Sequence, residues 1–229
     1  MQRSRDRRPR ASCRPGALPP APLRGYISPM IESPHEDVQR FQRWSRTYER
    51  SPGQIFLFDP VHRRVVDLVA ANCDGRGPAQ VLDVGCGTGR LLRHASVRWP
   101  SARLIGVDPA QGMLEKARFL TPAATFLQGR GEEIPLAESS AEVVFCTISF
   151  HHWADQAAGL REVARVLQPG GLFCLADGVI PSFAADLIPH TRVHSRDELR
   201  RLFLQAGFSV IAQKRILGGT VLATVGRKG

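Results

Sequence analysis

The residues in this 229-residue chain best suited to chemistry are two aspartates and a run of glycines. Val81-Leu82-Asp83-Val84-Gly85-Cys86-Gly87-Thr88-Gly89-Arg90 reads as a buried strand, a tight glycine bend and the start of a helix. Glycines at such a bend let the backbone take positive φ and approach a ligand closely. A dinucleotide fingerprint, G-x-G-x-x-G, would need glycine where Arg90 stands, and the phosphate-loop pattern fails because no Gly-Lys-Ser/Thr follows. A carboxylate at Asp83 would also repel a pyrophosphate, whereas it suits an ammonium group. The second aspartate closes Leu104-Ile105-Gly106-Val107-Asp108, 19 residues after Gly89. An acid at that strand end can accept both hydroxyls of a ribose. Together, Asp83 and Asp108 suggest a nucleoside with a cationic amino-acid tail.

These residues need a scaffold that brings strand ends together. Apolar runs at Gln80–Val84, Arg103–Val107, Thr125–Gln128, Glu142–Ile148 and Leu172–Asp177 predict strands. Helical patterns fall between them at Gly89–Arg98, Gln111–Phe119 and Ala154–Leu167. That alternation predicts an α/β fold, a parallel sheet with helices on both faces. Ahead of it, Phe41, Trp44 and Tyr48 share one helical face, and Leu57, Phe58, Val61, Val65, Leu68 and Val69 form a second stripe. Near the C-terminus, Ser195 and Glu198 form a capping-box signature for a helix to about Ala206, with Gly207 as its stop. Phe208–Gln213 and Gly219–Val225 then predict a hairpin closing one sheet edge.

Composition is near the globular norm, with 43% hydrophobic and 23% charged residues, which excludes a wholly disordered or fibrous chain. No apolar run approaches the roughly 20 residues of a membrane-spanning helix. The net charge of +10 invites a nucleic-acid reading. Yet residues 1–29 alone hold seven arginines against the single acid Asp6, and six prolines. That segment reads as a disordered basic tail, a targeting arm, or an over-extended reading ahead of Met30, and residues 30–229 as one domain. The five cysteines form no CxxC pair, which argues against disulfides and zinc and favours a reducing, cytoplasmic setting. No metal site is expected.

From about Phe41 onward the chain resembles the class I S-adenosylmethionine-dependent methyltransferases, in particular the small-molecule group that includes quinone-biosynthesis and trans-aconitate methyltransferases. Five motifs in order carry the resemblance: Leu82–Gly89, Gly106–Met113, Gly129–Leu136, Phe150-His151-His152-Trp153 and Arg165–Gly171. It implies a Rossmann-like, doubly wound, mostly parallel seven-stranded sheet with a C-terminal antiparallel hairpin. The implied cofactor is S-adenosyl-L-methionine, and the implied partner is a small-molecule acceptor met by a monomer or homodimer. By the same resemblance Asp83 and the Gly85-Cys86-Gly87 backbone hold the methionine moiety. Asp108 binds the ribose, Pro109 and Met113 flank adenine, Gly131 and Glu132 meet its edge, and Thr147 lies near the methionine portion. Tyr48 contacts the cofactor, and Trp44 belongs to the same covering helix. Two departures stand out. Arg130 replaces an aspartate that many relatives use for the adenine amino group, and Glu142 replaces the common aspartate of strand four.

The implied reaction is attack of a nucleophile on a sulfonium methyl. A base is needed only for an acceptor that arrives protonated; His151 and His152 are candidates because imidazole titrates near neutrality. His152 is the choice for catalysis, with Trp44, His151 and Trp153 lining the acceptor. The bland readings stand beside these: the His-His-Trp run as a helix-orienting cap, Trp153 as core, and the Phe41/Trp44/Tyr48 face as packing. Competing functions are a non-catalytic nucleoside-binding sensor or partner subunit and an RNA methyltransferase with a basic arm. The second is disfavoured by the absence of an Asn-Pro-Pro-Tyr-type motif or an added RNA-binding domain. The acceptor pocket is expected from residues before Gln80 and from Gly178–Ser195.

Overall fold

A computed structural model describes residues 34–45, 48–50, 58–73, 75–179 and 192–229. The tail reading for residues 1–29, Leu57 and most of the Gly178–Ser195 stretch lie outside the described residues.

In chain order the elements are α1 (Pro34–Trp44), a 3-10 turn (Tyr48–Arg50), α2 (Asp59–Ala70), β1 (Gln80–Val84), α3 (Arg90–Arg98), β2 (Arg103–Asp108), α4 (Gln111–Leu120), β3 (Thr125–Gln128) and β4 (Ala141–Thr147). A second 3-10 turn (Phe150–His152), α5 (Gln156–Val166), β5 (Leu167–Gly178), α6 (Arg196–Gln205), β6 (Phe208–Ile216), a third 3-10 turn (Leu217–Gly219) and β7 (Val221–Lys228) complete them. The seven strands form one sheet in the order β3-β2-β1-β4-β5-β7-β6. Strands β1 to β5 pair in parallel, while β7 runs antiparallel to both β5 and β6. The strand order reverses between β1 and β4, which is where α/β sheets open a ligand crevice at their carboxyl ends.

Side chains alternate across the sheet with the two-residue period of a strand. On one face Val81, Val143 and Phe145 pack with Val61 and Val65 of α2, Leu91 of α3 and Leu114 of α4. On the other, Leu82, Ile105 and Val144 pack with Leu160 of α5 and Leu199 and Phe203 of α6. By that alternation Asp83, Asp108 and Thr147 fall on the α2–α3 face. The expected hairpin is secured by three buried rings. Phe173 of β5 stacks on Phe203 of α6 at 5.1 Å between centroids, and Phe208 of β6 lies 5.6 Å from Phe173.

Local signals translate directly. Ser195 and Glu198 make both bonds of the capping box, and Gly207, at φ 87°, ends α6. Three expectations are corrected. The single N-terminal helix through Tyr48 is broken: α1 stops at Trp44, the Ser45 hydroxyl donates to the Gln42 carbonyl at 2.9 Å, and Tyr48 opens a separate 3-10 turn. Serine competes for nearby backbone groups in this way, so a helix pattern can end without Gly or Pro. The fifth strand starts at Leu167 rather than Leu172, with the turn before it lodged inside as a bulge. Ala141 pairs with Leu167 and Val143 with Leu172, leaving Gln168–Gly171 looped out around Gly170 at φ 78°. β6 also runs three residues past Gln213, to Ile216.

Phe173→Ala should therefore lower unfolding free energy by about 3–5 kcal/mol, read as a shifted urea midpoint at unchanged slope. A loss under about 1 kcal/mol would show that the hairpin does not depend on this ring trio.

Candidate functional site

Strand β1 delivers its carboxyl end into the glycine bend, and the bend is tied to β2. The Gly85 and Cys86 N–H groups both donate to the Val107 carbonyl, at 2.8 and 3.1 Å. Gly85 sits at φ 77°, and a Cβ there would collide with the Ser149 hydroxyl. Gly87 is at φ 51° with open space where its Cβ would be, so its lack of a side chain keeps a cradle clear. The Gly87 N–H donates to Asp108 Oδ2 at 2.8 Å, and the Ala110 N–H to Oδ1 at 2.9 Å. Burial still raises the Asp108 carboxyl, to about 6, against those two bonds. Asp83 is more extreme. It is 1% exposed and its Oδ1 is buried with no partner among the described residues. Burial, reinforced by the Asp108 charge, pushes its carboxyl up to about 8.

These groups open into one cleft enclosing about 1050 Å³, part of it open to solvent. Asp83, Gly85, Cys86, Gly87 and Asp108 line its floor. The Cys86 backbone belongs to that floor, but its sulfur turns into the core, where it would lie 2.7 Å from a Cβ at Gly106. Pro109, Met113 and Tyr48 line one wall, with Tyr48 buried against Ala110 and Met113. Gly131, Glu132 and Trp153 line the cleft as well. Glu132 Oε1 accepts the Asp155 N–H at 3.1 Å, so that carboxylate also braces the start of α5. Trp153 is 5% exposed and packs edge-on to Phe150 at 5.1 Å, which makes it both core and cleft wall. A Cβ at Gly131 would lie 2.5 Å from its indole.

Thr147 ends β4 in the cleft, and the next residue, Ile148, takes φ 50°. Positive φ is costly for a β-branched residue, and here it redirects the chain into the turn carrying both histidines. His152 lines the cleft and meets Phe41 edge-to-face at 5.2 Å. His151 is not among the lining residues. Its Nδ1 instead lies 2.8 and 3.0 Å from the two oxygens of Asp177, and its N–H donates to Oδ2 at 3.1 Å. Burial acts to raise the Asp177 carboxyl, but the His151 charge and hydrogen bond hold it below the usual range. The Trp44 side chain lies outside the described residues.

Two features escape the sequence reading. One is Glu49, in the first 3-10 turn, which bonds Thr88 and Arg90 and also reaches Arg93 at 3.2 Å. It latches the Tyr48 turn to the glycine bend. The other is His62, a buried imidazole within the apolar stripe of α2, whose Nε2 lies 3.1 Å from Thr147 Oγ1. Neither has a signal in its neighbouring residues, because their partners come from β4, α3 and the glycine bend.

Known proteins give the arrangement its family. The family described as "Methyltransferase domain" matches residues 82–175. Malonyl-[acyl-carrier protein] O-methyltransferase from Dechloromonas aromatica is 32% identical over 186 residues, covering 77% of this chain and 67% of that protein. A chain in the complex of the Haloferax volcanii Trm112 methyltransferase activator with a methyltransferase aligns at TM-score 0.69 and 22% identity, over 82% of this chain and 95% of that one. The [4+2]-cyclase SpnF aligns at TM-score 0.63 and 19% identity, over 72% of this chain and 80% of that one. The two structural likenesses speak for the fold alone. The shared sequence goes further, and by it the chain belongs to the class I S-adenosylmethionine-dependent methyltransferases.

Proposed function

We propose that the protein methylates a small-molecule acceptor and leaves S-adenosylhomocysteine. The family uses S-adenosyl-L-methionine as its methyl donor, and the residues present fit that donor. The observation that carries the reading is the unpaired, buried Asp83 Oδ1 beside an Asp108 whose oxygens each keep a lone pair beyond their single backbone bond. An ammonium at Asp83 and ribose hydroxyls at Asp108 supply the missing partners. The open cradle at Gly87 admits the chain between them, and Met113, Pro109 and Tyr48 offer an apolar wall to a base.

When bound, the donor supplies a methyl group on a positively charged sulfur, already a strong electrophile. The protein's part is then alignment and exclusion of water, which can contribute about 7–11 kcal/mol. An acceptor that arrives protonated needs a base. That base is His152, packed 4.0 Å from the ring of His151, whose Nδ1–H Asp177 takes outside the cleft lining. His152 is the imidazole on the cleft wall. The relative's printed name supports an oxygen nucleophile on an acyl group as the acceptor class. A carboxylate of that kind needs no base.

Isothermal calorimetry with S-adenosylhomocysteine tests the reading. Asp108→Ala should weaken binding about 10- to 100-fold, the worth of hydrogen bonds to a charged group. Undiminished binding, or preference of the wild type for nicotinamide nucleotides, overturns it.

The Asp83 carboxyl also fixes a pH dependence. With its free-state value at about 8, Asp83 carries a proton at pH 6, and an ammonium ligand must displace it. Affinity should therefore rise with pH between 6 and 7.5, approaching tenfold per unit. It levels near pH 8, where an α-amino group begins to lose its own proton. Titrations in buffers of different ionisation enthalpy should show proton release, and Asp83→Asn should abolish the slope. A flat profile in the wild type would remove Asp83 from the ammonium site.

Turnover separates the histidines. With a hydroxyl acceptor, His152→Ala should lower kcat about 10²- to 10⁴-fold, while His151→Ala acts mainly on KM. The reverse pattern assigns the base to His151. With a carboxylate acceptor both variants should keep kcat near the wild-type value.

A further inference from the structure

We propose that His62 is the hydrogen-bond donor that recognises the carboxylate of the methyl donor's amino-acid end, opposite the ammonium held by Asp83. The inference rests on the methyl-donor reading above and assigns a residue that lies in none of the five sequence motifs.

The placement comes from the sheet. Asp83 of β1 pairs in register with Phe145 of β4, so Thr147 lies two residues farther along β4 on the same face. Helix α2 packs over that face and turns His62 toward this strand end, where Nε2 meets Thr147 Oγ1 at 3.1 Å. His62 is 6% exposed and lines the same cleft as Asp83. Its Nδ1 is buried with no partner among the described residues, as is Asp83 Oδ1. Native proteins rarely leave such atoms unpaired, because a buried polar atom that loses water and gains no partner is costly. Two of them on residues that line one cleft, one on a carboxylate and one on an imidazole, are complementary to a zwitterion.

The protonation state agrees. Burial, with the positive charge of His94 and Arg90 behind it, pushes the His62 imidazole down to about 3, so the ring is neutral and holds one proton. In the tautomer that carboxylate recognition requires, Nε2 accepts from the Thr147 hydroxyl and the one proton sits on Nδ1 as a donor. A neutral donor suits the site. It binds a carboxylate without placing a second cation beside the sulfonium.

A plain structural role, α2 bridged to β4 through Thr147, makes a different prediction, and a three-ligand titration separates the two. The ligands are S-adenosylhomocysteine, its decarboxylated analogue and 5′-methylthioadenosine, which lacks the amino-acid end. They are titrated by calorimetry into the wild type, His62→Phe and His62→Asn, after near-ultraviolet circular dichroism confirms native packing. Phenylalanine keeps ring volume without an N–H; asparagine keeps a donor close to the Nδ1 position. His62→Phe should lose about tenfold or more for S-adenosylhomocysteine and stay within about twofold for the other two ligands. His62→Asn should recover part of the loss. If His62→Phe does not fold, His62→Asn alone must show loss confined to the carboxylate-bearing ligand. Equal weakening for all three ligands, or none for S-adenosylhomocysteine, overturns the inference. A wild type that binds 5′-methylthioadenosine but gains nothing from the amino-acid end overturns it too, while a wild type that binds none of the three overturns the methyl-donor reading itself.

Discussion

Two carboxylates are buried at neighbouring strand ends, and among the described residues no positive countercharge stabilises either. Moving a carboxylate out of water is costly unless hydrogen bonds or opposite charge replace the solvent. Asp108 receives two backbone N–H groups, from Gly87 and Ala110, and is raised only to about 6. Asp83 is raised to about 8, with one oxygen unpaired. A domain selected for stability alone would not keep this pair. Its cost is reasonable in a cleft where a cationic ligand completes the electrostatics, and perturbed carboxyls of this kind gather at functional sites.

The architecture follows from holding that pair in place. Strand alternation puts Asp83, Asp108 and Thr147 on one sheet face, beneath α2 and α3. The glycine bend is pinned to β2 through the Val107 carbonyl. The covering turn is fastened by charge: Glu49 reaches Thr88, Arg90 and Arg93, and burial, which alone would raise its carboxyl, is overridden by those partners. Tyr48 is thereby pressed against Ala110 and Met113 with little apolar area of its own. The C-terminal hairpin lies at the edge of the sheet beyond β5, away from the β1–β2 strand ends.

The fold by itself does not give the reaction. A cyclase shares it at TM-score 0.63, so chemistry has to be argued from the site. Beside the cleft, Asp177, a buried carboxylate at the end of β5, fixes the orientation of His151, while the adjacent His152 lines the cleft.

Much of the fold and half of the site could be read from neighbouring residues. Asp83 through Gly89 is a strand, a bend and a helix start in consecutive positions, and Asp108 closes the next strand. Ser195 and Glu198 announce their helix because both capping bonds span three residues. These features were legible because hydrogen bonds and periodicity over a few residues are local. Tertiary structure decided the rest. His62 looks like an interruption in an apolar stripe until β4 brings Thr147, 85 residues away, against it. The orientation of His151 depends on Asp177, 26 residues downstream. In both cases the partner's identity is set by strand order and by which face each helix covers, and neither is written in the residues on either side.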